Sequence, residues 1–187
     1  MKKEYKEFVP DLSKTEDCII KKSKRLFSFD RYEYINSKNL IVREDEFCYE
    51  GDKEIILSTR LYKYDNENFY CKHIYYFFGT STPSIIQYKQ NNNCVHNPFG
   101  PALLEFDEHG ALRKCSYFIN NLYHRLDGPA IEWYKDDRLI DCSYYINGKK
   151  IKDEFVIAII DVSKDNEWKC FLNKKHFFIL LFTFLIF

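Results

Sequence analysis

Two histidines and two cysteines recur at nearly one spacing: His96 and His124 stand 28 residues apart, Cys115 and Cys142 27 apart. Imidazole is the usual general base near neutral pH and a common metal ligand, and a thiolate is a nucleophile. Cys115 or Cys142, with His124 as base and Asp127 as orienting carboxylate, is therefore the sharpest chemistry on offer. A catalytic thiol needs a singular, activating environment. Both cysteines instead lie among alternating Tyr, Leu and Ile, where a thiol acts as a small apolar side chain. The histidines also return with their surroundings, which assigns them to a scaffold, each holding a turn through an imidazole hydrogen bond. The expectation is a non-enzymatic chain with no catalytic residue, cofactor or metal.

The elements that carry these residues are copies of one another. His96-Asn-Pro-Phe-Gly-Pro-Ala-Leu returns as His124-Arg-Leu-Asp-Gly-Pro-Ala-Ile, and Cys115-Ser-Tyr-Phe-Ile-Asn-Asn returns as Cys142-Ser-Tyr-Tyr-Ile-Asn-Gly. The change of offset from 28 to 27 puts a one-residue slip between Phe106 and Cys115 in the first copy and between Tyr134 and Cys142 in the second. Such an internal period is the mark of a repeat architecture.

Each copy reads as a β-hairpin. In the second, Ala130 to Tyr134 runs out, Lys135-Asp-Asp-Arg turns, and Leu139 to Ile146 returns. Cys142, Tyr144 and Ile146 then share one face, as do Cys115, Tyr117 and Ile119, while Lys114, Ser116, Asp141 and Ser143 share a more polar one. Asn147-Gly148 is a strong type I′ turn signal. Gly100-Pro101-Ala102 and Gly128-Pro129-Ala130 each enter a strand, with Ala where successive hairpins pack too closely for a larger side chain. Laying Tyr62 to Asn68 on Leu104 to Gly110, an offset of 42 that also brings Tyr75 onto Tyr117 and Gly79 onto Asn121, makes residues 60–79 a degenerate earlier copy. Pro83 and the run Gln90-Asn-Asn-Asn belong to a longer surface loop.

Composition agrees with a β fold. The 187 residues include 17 Phe and 15 Tyr, types that suit a pleated, half-buried surface. Charges balance at 28 of each sign, which leaves no global field to attract nucleic acid. The seven cysteines are widely spaced and odd in number, which favours a reducing, intracellular compartment over a disulfide framework. The charged start, Met1 to Glu7, is not a signal peptide, so a secreted protein is not expected. Residues 1–59 read as an N-terminal segment with two or three short strands, including a solvated basic cluster at Lys21 to Arg25.

Residues 60–150 are the hairpin repeats, and residues 151–187 are a helical cap followed by an apolar tail. Asp153 and Glu154 suit a first helical turn, with Phe155, Val156, Ile159 and Ile160 on one flank covering the end of the stack. The tail Phe177 to Phe187 has 11 residues, about 16 Å as a helix and too short for roughly 30 Å of hydrocarbon. It packs against the sheet or a partner, or else residues 171–187 touch a membrane surface with Lys174 and Lys175 at headgroup level.

The strings His124-Arg-Leu-Asp-Gly-Pro-Ala-Ile-Glu-Trp-Tyr and Tyr144-Tyr-Ile-Asn-Gly-Lys resemble the MORN-repeat family. They are most similar to a variant repeat of large DNA viruses that is related to the repeat of YwqK-type antitoxins. The resemblance covers residues 96–151 well and 60–79 weakly. Phe99 stands where the pattern has Asp, and Asn121 where it has Gly. The resemblance implies a ribbon of β-hairpins and a scaffolding or binding role, with no catalytic residue to carry over; antitoxin-like inhibition of a partner rests on this likeness alone.

The fold expected is thus mainly β: stacked antiparallel hairpins in an elongated or curved sheet, with a short C-terminal helix. The partner expected is another protein. Phe118, Trp133 and Tyr145 are the candidate contact surface, because they recur where the sheet should be exposed and aromatic side chains anchor interfaces. The repeat motif that supports them is His96, Gly100, Pro101, Ala102, His124, Asp127, Gly128, Pro129, Ala130, Asn147 and Gly148.

Overall fold

A computed structural model describes residues 18–25, 29–65, 68–91 and 93–151. The proposed helix at 153–160 and the tail at 171–187 lie outside these residues. The described fold is an open antiparallel sheet. Its first half is a meander of long strands: β1 (Ile19–Arg25), β2 (Phe29–Ile35), β3 (Ile41–Glu50), β4 (Lys53–Asp65), β5 (Asn68–Tyr76) and β6 (Pro83–Gln90). After the short β7 (Cys94–Val95) come β8 (Leu103–Phe106), β9 (Leu112–Ser116), β12 (Ile131–Lys135) and β13 (Arg138–Ser143). Two-residue ribbons interrupt this second half, β10 (Phe118–Ile119) with β11 (Leu122–Tyr123) and β14 (Tyr145–Ile146) with β15 (Lys149–Lys150). The main sheet runs β1-β2-β3-β4-β5-β6-β8-β9-β12-β13, each strand beside its neighbour in that order.

The N-terminal strands are longer than their apolar pattern suggests, and the basic cluster at Lys21 to Arg25 is the strand β1. The reason is visible in β2 to β4, where charged residues fill strand positions because each has a cross-strand partner. On one face Arg31 meets Glu44 at 3.0 Å and Glu46 at 3.1 Å, and Arg60 reaches the same two carboxylates at 3.4 and 3.2 Å. On the other face Asp45 is 1% exposed; it receives Thr59 Oγ1–H at 2.8 Å and the Arg43 guanidinium at 2.8 and 2.9 Å. Paired this way, the charges tolerate burial that would otherwise exclude them from a sheet interior.

Apolar packing lies beside that network. Leu61 and Ile74 are buried, with Tyr76, Ile86 and Tyr88 packed on them. The cross-strand rows Leu61–Lys72–Tyr88 and Thr59–Ile74–Ile86 put these side chains on one face of β4, β5 and β6. Each fully buried aliphatic side chain there contributes about 1.5–3 kcal/mol.

Candidate functional site

The two repeats share more than sequence, because their backbone bonds recur position for position. Tyr117 N–H donates to Ala130 O at 2.8 Å, and Tyr88 N–H donates to Ala102 O at 2.8 Å. Ala102 and Ala130 in turn donate to Ser116 O and Ser143 O, both at 2.9 Å. Leu103 faces Ser116 as Ile131 faces Ser143, and a bulge follows Glu105 in one copy and Trp133 in the other. The frame therefore extends back to Tyr88, which occupies the place of Tyr117. The offset of 42 had put Tyr75 there, but Tyr75 pairs with Ile85 inside the β5–β6 hairpin.

The slip falls in the hairpin turns. Phe106 pairs with Leu112 across five residues, whereas Tyr134 pairs with Leu139 across four. The first turn is closed by Asp107 Oδ1, which accepts the N–H groups of His109 and Ala111 at 3.0 and 2.9 Å. The second closes on Asp136 and Asp137, at φ 50° and 59°. Positive φ at both central residues is the type I′ geometry, and its twist matches the strands.

The return strand does not continue through Tyr117 or Tyr144, contrary to the expected run from Leu139 to Ile146. At each Tyr the chain leaves the main sheet for a ribbon. The ribbon turns have φ 52° and 66° at Asn120 and Asn121, and 49° and 78° at Asn147 and Gly148, so Asn121 keeps the turn that Gly148 makes. Successive ribbons bond to each other: Asn97 N–H to Phe118 O at 3.2 Å and Asn121 N–H to Val95 O at 3.0 Å recur as Arg125 N–H to Tyr145 O at 3.2 Å and Gly148 N–H to Tyr123 O at 2.9 Å. These bonds set the ribbons 118–123 and 145–150 in a row beside residues 95–97, while β7 (Cys94–Val95) is itself paired with β6 in the main sheet.

His96 and His124 pin the two junctions of this row. Asn120 N–H donates to His96 Nδ1 at 3.3 Å, and Asn147 N–H donates to His124 Nδ1 at 3.2 Å. Burial lowers the pKa of His96, which keeps Nδ1 bare as an acceptor. His124 Nδ1 also stands 2.8 Å from Asn147 Oδ1, so both the backbone and the side chain of Asn147 meet this ring nitrogen. Asp127 accepts Arg125 Nε–H at 2.9 Å. His96, His124 and Asp127 are thus each hydrogen-bonded within the repeats. Cys115 is fully buried, and among the described residues no group of three His, Cys, Asp or Glu could hold a metal ion.

The Gly-Pro-Ala loops turn on a residue the sequence pattern left unweighted. Arg125 donates to Pro129 O at 3.1 Å and to Glu132 at 2.8 Å, and its guanidinium carbon lies 3.9 Å from the centre of the Tyr117 ring. In the earlier copy Asn97 takes its place, donating from Nδ2 to Pro101 O at 2.9 Å. A Cβ on Gly128 would sit 2.9 Å from the Arg125 guanidinium carbon, so the glycine makes room for the arginine. Ala102 and Ala130 are both fully buried, as close packing of the hairpins requires.

The two faces of β9 are not divided into core and solvent. Ser116, assigned to the polar face, is fully buried between Leu103 and Ile131, while Cys115 is buried between Leu104 and Glu132. Glu132 is itself 4% exposed, with Arg125 and the Tyr134 hydroxyl as partners. Alternation of side chains cannot reveal that both faces of a short strand are covered.

No family model, curated protein or solved structure matches this chain. The candidate surface must be read from geometry. The structure joins two of its three residues: the Phe118 and Tyr123 rings pack at a tilt with centroids 4.3 Å apart, and Tyr123 lies 5.2 Å from Tyr145. Tyr123, unassigned from sequence, links them because β11 sits between β10 and β14. Trp133 belongs instead to the main sheet, in β12, opposite Lys114 and Asp141. All four side chains are half-buried. Leu122 in β11 is 48% exposed, and Phe99 and Leu126, in the loops that lead to β8 and β12, are 59 and 37% exposed.

Proposed function

We propose that this chain is a non-enzymatic interaction module of the MORN-like kind, a β-repeat scaffold that holds a protein partner on its ribbon row. The observation that carries the reading is the ring cluster Phe118–Tyr123–Tyr145, set on ribbons that repeat in register, with exposed Leu122 on β11 and exposed Phe99 and Leu126 in the adjoining loops. Clustered apolar side chains at a surface mark an association site more often than scattered single exposures do. Aromatic rings suit such a site because they bury large area with few rotatable bonds.

The test compares quantitative affinity capture by the unaltered chain, by Phe118→Ala/Tyr145→Ala and by Trp133→Ala, after each has been shown to melt normally. A partner retained by Trp133→Ala and depleted at least tenfold by the double variant is the expected result. Equal recovery by all three chains would remove the ribbon row from the binding surface.

A further inference from the structure

A cleft of about 430 Å³ opens on the meander, on the face of β2 to β6 that carries the Arg–Glu network. Arg31, Glu44, Arg60, Cys71, His73, Tyr75 and Lys89 are among the residues that line it. The volume is in the range of small-molecule sites. Cys71 and Lys89 are direct cross-strand partners, and His73, two residues along β5, is the diagonal neighbour of Lys89 on the same face. The His73 ring lies 3.9 Å from the Tyr75 ring, which gives the cleft an aromatic wall.

Among the described residues, two groups in this cleft lack a hydrogen-bond or ion-pair partner. His73 is 3% exposed, and its Nε2 has no hydrogen-bond partner. A buried polar nitrogen left so costs about 1–3 kcal/mol. Lys89 makes no ion pair among the described residues, while Arg31 and Arg60 are both engaged by Glu44 and Glu46. Three cations thus face two carboxylates, and the unmatched charge is that of Lys89. The local field agrees: burial and the charge of Arg60 lower the pKa values of both His73 and Lys89.

From this arrangement we infer that the cleft binds a small organic monocarboxylate, its anionic end on Lys89 and the Nε2–H tautomer of His73, and its apolar or aromatic body against Tyr75. One unmatched positive charge suits a single carboxylate, and the aromatic wall suits an unsaturated body. The thiol of Cys71 takes no covalent part, because burial raises its pKa to about 11 and keeps it protonated.

Benzoate is the probe, titrated into the full chain by calorimetry and by NMR observation of the His73 ring, with inorganic phosphate as the competing anion chemistry. Saturable one-to-one binding of benzoate is expected, weakened at least tenfold in Lys89→Met and restored in Lys89→Arg. Lys89 is only half-buried, so these variants should keep the fold, and circular dichroism checks this. The inference is overturned if benzoate shows no saturable binding, if Lys89→Met binds it equally, or if phosphate binds more tightly than benzoate.

Discussion

Replacing Arg125 by Ala should lower the thermal unfolding midpoint by roughly 10 °C, the largest single-site loss expected in the repeats. The cause is what Arg125 leaves behind. Glu132 is 4% exposed, and among the described residues its carboxylate would keep only the Tyr134 hydroxyl, at 2.7 Å. Pro129 O and the face of Tyr117 lose the same guanidinium. Breaking a buried ion pair from one side costs about 3–5 kcal/mol, mainly through the stranded charge. The double variant Arg125→Ala/Glu132→Gln, which strands no charge, should therefore recover more than half of the lost midpoint. A single variant that melts within 2–3 °C of the unaltered chain, roughly what 1 kcal/mol produces in a domain of this size, would show that Glu132 does not depend on Arg125.

The second large effect is a loss of stability in acid that belongs to one histidine. Burial, reinforced by the charges of Arg60 and Lys89, drives the His73 pKa down to about 3 from 6.5. The unfolded chain therefore binds a proton that the folded chain refuses between those two values, and stability falls as pH drops through that window. At about 1.4 kcal/mol for each pH unit, acidification from 6.5 to 4 should cost about 3 kcal/mol through His73 alone. Glu46, whose pKa is lowered by Arg60 and Ser58 against the effect of burial, acts in the same direction, so the comparison must be between variants. His73→Gln cannot titrate. Denaturant unfolding at pH 7 and pH 4 should show the gap between the two pH values shrinking by about 3 kcal/mol in this variant. An identical gap in both chains would place the acid sensitivity elsewhere.

Much of the architecture was legible because it rests on local rules. The Asn-Gly turn, the Gly-Pro-Ala strand entry and the one-residue slip are each set by backbone conformations that a few residue types prefer, and the structure places all three in hairpin or ribbon connections. Side-chain alternation did less well. It carried Cys142, Tyr144 and Ile146 along one continuous strand, but period two contains no sign that the chain changes ribbon at Tyr144. It also made Ser116 a surface residue, since a small hydroxyl looks the same between two apolar neighbours as it does in water.

The N-terminal meander was the least legible part. Arg43-Glu-Asp-Glu, which no apolar alternation marks, is a strand interior whose charges are matched by Arg31, Thr59 and Arg60 from the strands on either side. Such matching is a property of register, which no single strand displays. Trp133 illustrates the same limit for the candidate surface: its aromatic character was plain, but only the pairing of β12 with β9 and β13 shows that it stands apart from Phe118 and Tyr145.

The aromatic cluster exists only if the ribbons at 118–123 and 145–150 bond to each other as a row. Native-state hydrogen exchange measured by NMR addresses it residue by residue. The amides of Asn97, Asn121, Arg125 and Gly148, which bond one ribbon to the next, should exchange at least a hundredfold more slowly than in an unfolded chain, with the two copies matching in pairs. If these four exchange at unfolded rates while Ala102, Tyr117 and Ala130 in the main frame remain protected, the ribbons do not form a row, and the surface proposed on them does not exist.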